Sequence, residues 1–401
     1  MTQTVTVTTN GIKVRPSVNR EQVKEIAKKC FGLEIDESKE IKEAVSYDDR
    51  NFLFKGKLNC RGSGTDKMYQ SFEEYVLKIY NASETSVVSW YKHINNMVAA
   101  TYEKCQSNFK IPFPIADVKT NENCVLYDIP LEKNVEASEE LLHELCLNNQ
   151  FVSKENSSYY VKHVVRLTVF IPGQTVDVKN LDDDLAFKFG SCVAQLATIL
   201  KDFPKPEEDL RQDFVWNTLY TYKTLQDPYI LSMKDETKKT IAIGILQKFE
   251  KNVLPKLENL SKQWIHGDLN ELNLLTCIDN NGKSRITGIV DFDDMCYSYS
   301  VIDVGTALMY ITYSSPRERC FDIIKKFIRG YTSVLLLGDT EKHVLFTIML
   351  TRYIQSCIVG EYQYYYVDPT NEYLLLTPSR AWETLKFLMN EGEDKFLEVI
   401  S

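Results

Sequence analysis

One stretch constrains this chain more than any other, and it runs from Trp264 to Asp294. It holds the tripeptide Asn280-Asn281-Gly282, and Asn-Gly is a strong signal for the turn of a β-hairpin. Apolar runs flank that signal on both sides, so we predict two antiparallel strands over 274–278 and 285–290. The stretch is therefore expected to fold as a hairpin whose open end lies beside the preceding loop.

Three polar residues are predicted to meet at that open end. Asn273 directly precedes the first strand and Asp291 directly follows the second, while Asp268 lies in the loop just upstream. Their oxygens are ligands of the kind that Mg²⁺ prefers, and Mg²⁺ often takes its remaining ligands from phosphates. The alternative is a hairpin end that is merely polar, which is common in proteins.

Composition limits the class of protein. With 401 residues, 44% of them hydrophobic, the chain is long enough for two lobes. The net charge of −9 and the lack of a dense Lys/Arg block argue against nucleic acid as a partner. The 10 cysteines are scattered without a Cys-x-x-Cys pair, which favours reduced thiols over a zinc site. Because the sequence has no secretory pattern at its N-terminus and no apolar run of about 18 residues, we expect a cytoplasmic protein without a membrane partner.

The order of predicted elements divides the chain into two lobes. Strand patterns dominate 1–167, where the segment 130–156 departs from them and resembles an insertion, and helical patterns dominate 168–401. Within the first lobe, Glu74–Tyr80 alternates as a strand, which places Lys78 on the face opposite the apolar residues. The predicted fold class is α+β, with an antiparallel-sheet N-lobe and a mainly helical C-lobe.

Kinase-like phosphotransferases use this organisation, and the chain offers the parts that phosphoryl transfer needs. Lys78 fits the lysine that contacts phosphates, and Asp268 fits the carboxylate that accepts the proton of an acceptor hydroxyl. Asn273 and Asp291 fit the pair of Mg²⁺ ligands. Taken alone, Lys78 would be interpreted as a surface lysine, but its occurrence together with the hairpin stretch favours the functional interpretation.

Two segments carry a family resemblance. HGDLNELN at 266–273 and IVDFDD at 289–294 resemble the aminoglycoside phosphotransferase and choline kinase superfamily, which has a protein-kinase-like fold. Further segments, spread over 40–385, resemble the hydroxylysine kinases more closely, among them SYDDRNF, YVLKI, VRLTVFIPG and HGDLNELNLL. That resemblance implies Mg²⁺-dependent transfer of the γ-phosphoryl group of GTP to the hydroxyl of 5-hydroxy-L-lysine.

The resemblance also implies how the nucleotide is held. The turn at 46–51 would cover the nucleotide, with phosphate contacts from backbone amides and from Ser46 or Asn51. Thr168 and Phe170, near the junction of the lobes, would offer backbone groups to the base.

Some positions depart from the pattern that the resemblance implies. Lys78 should pair with a glutamate of the next helix, but Ser89 stands at the matching position, and Glu84 is an upstream candidate. Asp293 stands where a glycine is common; its carboxylate could join the metal site or face solvent, and of these two we expect it to face solvent. The Gly62-Ser63-Gly64 loop is not a phosphate loop, because it lacks the Gly-Lys-Ser/Thr ending and a following helix.

An amino-acid acceptor needs a cation for its carboxylate and acidic or aromatic groups for its amines. Arg352 is the candidate for the carboxylate, because a guanidinium can bind it through two hydrogen bonds; the alternative is a buried salt bridge. Asp294 is the candidate for an ammonium group, and Trp216 is a candidate wall of the acceptor pocket.

Two other functions remain open at this point. One is a kinase that uses ATP and another amino alcohol, such as choline, ethanolamine or homoserine. The other is a pseudokinase that binds nucleotide as a regulatory module. The joint presence of Lys78, Asp268, Asn273 and Asp291 favours a working kinase, since a non-catalytic fold has no need of all four.

Overall fold

The chain divides into two compact units. The first comprises Met1–Ala100 and Pro112–Phe170, and the second comprises Thr101–Ile111 and Ile171–Ser401. The structure is a computed structural model that describes residues 6–8, 11–58, 73–105, 108–132, 137–280 and 282–401. The predicted loop at 60–67, with Gly62-Ser63-Gly64, and Asn281 of the hairpin turn lie outside the described residues.

Antiparallel strands make up most of the first unit. They are β1 Thr6–Thr8, β2 Gly11–Lys13, β3 Leu33–Ile35, β4 Lys42–Ala44, β5 Arg50–Leu58, β6 Glu74–Ile79, β7 Pro114–Ile115, β8 Val125–Pro130, β9 Val152–Glu155 and β10 Ser158–Val169. The strands β3 to β10 form one eight-stranded sheet, in which β10 pairs with β6, β7, β8 and β9, and β5 pairs with β3, β4 and β6. The predicted antiparallel sheet is thus present, and β9 of the segment predicted as an insertion is part of it.

Helix α1, Arg20–Phe31, packs on this sheet, and its ends follow from local chemistry. The Asn19 side chain accepts a hydrogen bond from the Gln22 N–H, and the Gln22 side chain accepts one from the Asn19 N–H. Gly32 ends the helix at φ 63°, a left-handed conformation that glycine adopts without strain. The other α-helices that begin in this unit, among the residues described, are α2 Val88–Cys105, which follows the 3-10 turn Ala82–Val87, and α3 Glu139–Asn148.

Strand β6 places Lys78 as its alternation predicts. Tyr75, Leu77 and Ile79 are fully buried in the core beneath the sheet. Lys78 lies on the opposite face, yet it is only 9% exposed. An ammonium group at that depth needs neighbours that compensate for its lost hydration.

Helices dominate the second unit, as predicted. They are α4 Asp183–Leu200, α5 Thr221–Thr224, α6 Glu236–Lys248, α7 Leu254–Leu257, α8 Ser300–Thr312, α9 Cys320–Thr332, α10 Asp339–Tyr366 and α11 Pro378–Ile400. Helices α4 and α9 approach closely through two glycines. A Cβ on Gly190 would lie 1.9 Å from the Phe327 carbonyl oxygen, and one on Gly330 would lie 1.9 Å from the Phe187 carbonyl oxygen.

Helix α10 crosses the interior of the second unit. It is long and apolar enough to span a membrane by length and composition, but 94% of its apolar window is buried inside the structure. Its apolar character therefore has a sufficient explanation in the core that it helps to form.

The predicted hairpin is present in the second unit. Strand β13, Leu274–Ile278, pairs antiparallel with β14, Ser284–Ile289, and a bulge interrupts the pairing between Leu275 and Thr276. A short strand β11, Gln174–Thr175, extends this sheet, and β12, Gln263–Ile265, pairs with β15, Cys296–Ser298. The two small sheets hold the loop between β12 and β13 and the turn between β14 and β15.

Candidate active site

The loop between β12 and β13 depends on a glycine. Gly267 has a φ of +84°, and a Cβ built on it would lie 2.3 Å from the carbonyl oxygen of Asp294. Both the left-handed backbone and the close approach exclude a larger side chain. The loop that carries Asp268 is therefore held against the turn after β14 by a contact that glycine permits.

Asp303, from the first turn of α8, holds the same loop from the other side. Its two carboxylate oxygens accept hydrogen bonds from the backbone N–H groups of His266 and Gly267, both at 2.8 Å. Burial raises the pKa of Asp303 to about 6, and the two N–H donors act against that shift. Asp303 thus ties the loop that carries Asp268 to helix α8.

His266 orders the loop from within. Its Nε2 donates to the Val290 carbonyl oxygen at 3.2 Å, and its Nδ1 accepts from the Asp268 N–H at 3.3 Å. Burial lowers the pKa of His266 to about 4, so the ring is neutral, as one donor and one acceptor nitrogen require. The ring thus connects the Asp268 loop to the end of β14.

The Asp268 carboxylate is held by three donors. Its Oδ2 accepts from the side-chain amides of Asn270 at 2.7 Å and Asn273 at 2.9 Å. Its Oδ1 accepts from Nη2 of Arg352 at 2.6 Å, and the Asp268 side chain is still 19% exposed. The carboxylate is thereby fixed in orientation while part of it can reach a ligand.

The open end of the hairpin brings Asn273 and Asp291 to one place. The Val290 N–H donates to the Asn273 carbonyl oxygen at 2.9 Å, which puts Asp291 one residue away from that backbone contact. The Asn273 side-chain nitrogen donates hydrogen bonds to Asp268, to its carbonyl oxygen at 2.9 Å and to its carboxylate. Asp291 is exposed and has a φ of 61° and a ψ of 67°, a left-handed conformation that is unusual for a residue with a Cβ.

Arg352 is almost fully buried, and its guanidinium group is engaged. Besides Asp268, it donates to the Gln355 side chain at 3.1 Å, to the Trp216 carbonyl oxygen at 3.3 Å and to the Tyr310 hydroxyl at 3.3 Å. The Trp216 ring is half-buried, with its centre 5.2 Å from the guanidinium carbon. The sequence left two interpretations open for Arg352, a contact to the acceptor carboxylate and a buried salt bridge. The structure contains the buried salt bridge, with Asp268, and Trp216 lies beside it.

Comparisons with known proteins agree with this geometry. The model of the phosphotransferase enzyme family matches residues 146–335. Hydroxylysine kinases from Danio rerio and Mus musculus are each 24% identical to the chain, over 95% and 96% of its length and 94% and 93% of theirs. The chain is a relative of the hydroxylysine kinases. It is a phosphotransferase that acts on an alcohol group.

Solved structures show the fold of this kinase. A microcompartment-associated aminopropanol kinase superposes with a TM-score of 0.56 at 13% identity, covering 95% of this chain and 100% of that one. An amicoumacin kinase, solved with AMP-PNP, Ca²⁺ and its ligand, gives 0.55 at 14% identity, covering 94% of both chains. The predicted α+β fold of the protein-kinase-like class is confirmed.

The first unit of this kinase contains the predicted nucleotide-side residues. Lys78 forms an ion pair with Asp49, Nζ to Oδ2, at 3.2 Å, and Asn51 lies opposite Lys78 in the pairing of β5 and β6. Ser46 closes the intervening turn, because its hydroxyl donates to the Asp49 carbonyl oxygen. Burial raises the pKa of Asp49, and the Lys78 charge and the Asn81 N–H act against that shift.

Two predicted contacts to the base lie at the end of β10. Thr168 is paired on both sides, with Val76 of β6 and Pro114 of β7. The Phe170 N–H donates to the Glu74 carbonyl oxygen at 2.9 Å. That N–H is therefore already used within the first unit.

The expectation for Asp293 was wrong. Its side chain is only 7% exposed instead of facing solvent, and its carbonyl oxygen accepts from the buried Arg211 at 3.3 Å. Its neighbour Asp294 has a pKa raised well above the usual value, first by burial and then by the charges of Asp268 and Asp291. Asp268, Asp291 and Asp294 therefore form an acidic corner, which concentrates negative charge as a site for a cation or a cationic ligand does.

Sequence reasoning missed Glu271, Tyr310, Tyr313 and Tyr373. The Tyr313 hydroxyl donates to Glu271 Oε1 at 2.7 Å, and burial raises the pKa of Glu271 to about 7. Tyr373 has a pKa raised above its usual range by burial and by nearby acids that include Asp268. The position of Glu271 inside HGDLNELN was a usable signal, whereas Tyr310, Tyr313 and Tyr373 follow no motif.

Proposed function

We propose that this kinase transfers the γ-phosphoryl group of GTP to the hydroxyl of 5-hydroxy-L-lysine, with Asp268 as the base. The observation that carries the proposal is the held carboxylate of Asp268, in a chain that resembles hydroxylysine kinases over nearly its whole length. The cytoplasm is the proposed location, since the nine cysteines of the described part are all free thiols.

The donors around Asp268 assign its two oxygens to different tasks. A carboxylate oxygen has two lone pairs in the plane of the group. Oδ2 already accepts hydrogen bonds from Asn270 and Asn273. Of the three donors that hold the carboxylate, Arg352 alone donates to Oδ1. We therefore assign Oδ1 to the acceptor hydroxyl. As the hydroxyl oxygen bonds to the γ-phosphorus and the β–γ bridge bond breaks, the hydroxyl proton passes to Oδ1.

The corner fits a divalent cation, provided that the phosphates complete its ligands. Among the residues that the structure describes, no group of three or more His, Cys, Asp or Glu side chains converges as a metal site. The amide oxygen of Asn273 and the exposed carboxylate of Asp291 would hold Mg²⁺, which would neutralise charge on the phosphate oxygens. Burial is the first cause of the raised pKa of Asp294, and the charges of Asp268 and Asp291 raise it further; a bound cation would offset that charge repulsion.

The acceptor side is assigned by charge. Asp294 is proposed to bind an ammonium group, and the Trp216 ring to form a wall of the pocket beside Arg352. Arg352 is assigned to holding Asp268, because its guanidinium group already makes hydrogen bonds to four residues. On the nucleotide side, Lys78 is proposed to contact the phosphates.

A panel of substrates tests the function. Purified protein with Mg²⁺ and either GTP or ATP is offered 5-hydroxy-L-lysine, choline, ethanolamine and homoserine, and nucleotide diphosphate release is measured together with the phosphorylated product. We expect the largest kcat/KM for GTP with 5-hydroxy-L-lysine. Binding of nucleotide without a product from any acceptor would favour a regulatory nucleotide-binding module instead.

Two variants test the assigned residues. Asp268→Asn should keep nucleotide affinity and lower kcat by about 10²–10⁴-fold, the range that a general base contributes. Asp291→Ala should abolish the Mg²⁺ dependence of nucleotide affinity. Asp279→Asn is the matched control, since Asp279 lies at the far end of the same hairpin and accepts from the Lys283 N–H. Turnover like that of the wild type in Asp268→Asn would remove Asp268 as the base.

A further inference from the structure

A second buried cation lies beside Lys78 in the sheet. Arg166 lies directly opposite Lys78 in the pairing of β6 and β10, so both side chains share one face of the sheet. Both cations also lie over the Tyr80 ring, at 5.0 Å for Lys78 and 5.5 Å for Arg166. Like charges that face each other across strands destabilise a sheet, so the carboxylate at 3.2 Å from Lys78 has a large effect on where that ammonium group rests.

That carboxylate belongs to Asp49, and it is anchored. Its Oδ1 accepts from the Asn81 N–H at 2.8 Å, and Asn81 follows the strand that carries Lys78. The Asn81 side chain donates to Asp48 at 3.1 Å, and Asp48 in turn pairs with Lys13 at 2.9 Å. Asp49 is thus fixed to the end of β6, with its second oxygen directed at the lysine of the same strand.

The helix after β6 supplies no equivalent charge at the expected place. Ser89, which stands where a glutamate was expected, is neutral. Glu84, the upstream candidate, accepts a hydrogen bond from the Tyr91 hydroxyl at 2.7 Å. Its charge also contributes to the raised pKa of Asp49, after burial as the first cause, so Glu84 and Asp49 act on the same site.

We propose that Asp49 is a positioning residue for Lys78, held at 3.2 Å from its ammonium group by the Asn81 N–H. The proposal rests on the proposed function, in which Lys78 contacts the nucleotide phosphates. Asp49 lies in the turn at 46–51, which is also proposed to cover the nucleotide. A single ion pair would therefore couple the covering turn to the phosphate-binding lysine, so that closure of the turn and placement of Lys78 occur together.

Asp49→Asn isolates the charge. The asparagine keeps an oxygen for the Asn81 N–H and loses only the negative charge that faces Lys78. We expect the KM and the Kd for nucleotide to rise about 5- to 20-fold, as for loss of a partly buried charge-assisted contact, while the KM for the acceptor stays unchanged. Asp49→Glu, which restores the charge, should recover part of the affinity.

Two matched controls and a double variant complete the test. Asp128→Asn removes a carboxylate that pairs with Lys162 at 2.9 Å on the same sheet, and it should bind nucleotide like the wild type. Glu84→Gln removes the charge of the upstream candidate and should lower nucleotide affinity less than Asp49→Asn does. Lys78→Met combined with Asp49→Asn should bind no worse than Lys78→Met alone, because the two residues act as one unit. Unchanged melting temperatures would show that each variant folds.

Three outcomes would overturn the proposal. Normal nucleotide affinity in Asp49→Asn would do so, as would a loss confined to Glu84→Gln, which would make Glu84 the partner. Fully additive effects in the double variant would show that Asp49 acts independently of Lys78. Failure of the proposed function would be recognised by the absence of turnover with every acceptor. The role of Asp49 is tested separately, because its readout is direct binding of nucleotide.

Discussion

Replacing Arg352 by methionine separates two roles for a buried guanidinium group. The change removes the 2.6 Å hydrogen bond to Asp268 Oδ1, while Gln355 keeps the hydrogen bond that it accepts from Thr218. A hydrogen bond to a charged group contributes about 1.5–3 kcal/mol, and each 1.36 kcal/mol is tenfold in rate. If Arg352 holds the catalytic carboxylate, kcat should fall by about 10- to 150-fold.

The assay compares two acceptors that differ by one group. Steady-state kinetics are measured with 5-hydroxy-L-lysine and with its decarboxylated analogue, a diamino alcohol that lacks the carboxylate. If Arg352 acts through Asp268, Arg352→Met should lower kcat by the same factor for both acceptors. An Arg352 that binds the acceptor carboxylate would raise KM for 5-hydroxy-L-lysine alone.

Tyr310→Phe is the graded control. It removes the 3.3 Å hydrogen bond between the Tyr310 hydroxyl and the same guanidinium group, together with the 2.9 Å hydrogen bond between that hydroxyl and Ser356. The direct contact of Arg352 with Asp268 remains, so we expect kcat to change by about threefold or less. A selective rise in KM for 5-hydroxy-L-lysine in Arg352→Met, with kcat unchanged, would refute the role of Arg352 in holding Asp268.

Two further predictions concern stability. Gly267→Ala should lower the free energy of unfolding by about 2–5 kcal/mol, because it combines a left-handed backbone with a contact 2.3 Å from the Asp294 carbonyl; a denaturant midpoint equal to that of the wild type would contradict this. Burial lowers the pKa of His163 to about 4, while its Nδ1–H donates to the Tyr80 carbonyl oxygen. As the pH falls below about 6.5, His163 is therefore protonated in the unfolded chain before it is protonated in the folded protein. Between pH 7.5 and 5 the free energy of unfolding should fall by about 2 kcal/mol from this cause, and His163→Gln should not show that part of the loss. Urea titrations at both pH values check this, and an equal loss in both proteins would exclude His163 as the cause.

The parts of the site that were predicted from sequence are encoded locally. The hairpin follows from an Asn-Gly turn between two apolar runs, and its strands begin and end within a residue of the predicted positions. The role of Asp303 was also predictable, because it lies in the first turn of a helix and its partners lie in a short polar loop. In each case the decisive contact depends on a motif that a few neighbouring residues define.

The parts that were missed depend on contacts between distant segments. Asp293 is buried beside Arg211, which comes 82 residues earlier in the chain. The ion pair of Lys78 with Asp49 requires the pairing of β5 with β6, and a search along the following helix could not find it. No local pattern marks residues of this kind, because their environment is set by tertiary packing.

The left-handed backbone of Asp291 has a consequence for protein engineering. A residue with a Cβ in this conformation costs about 1–2 kcal/mol relative to glycine. A programme that selects for thermal stability alone would therefore rank Asp291→Gly among its favourable substitutions. It would obtain a more stable protein that has lost a proposed metal ligand, so stability and turnover must be screened together in this chain.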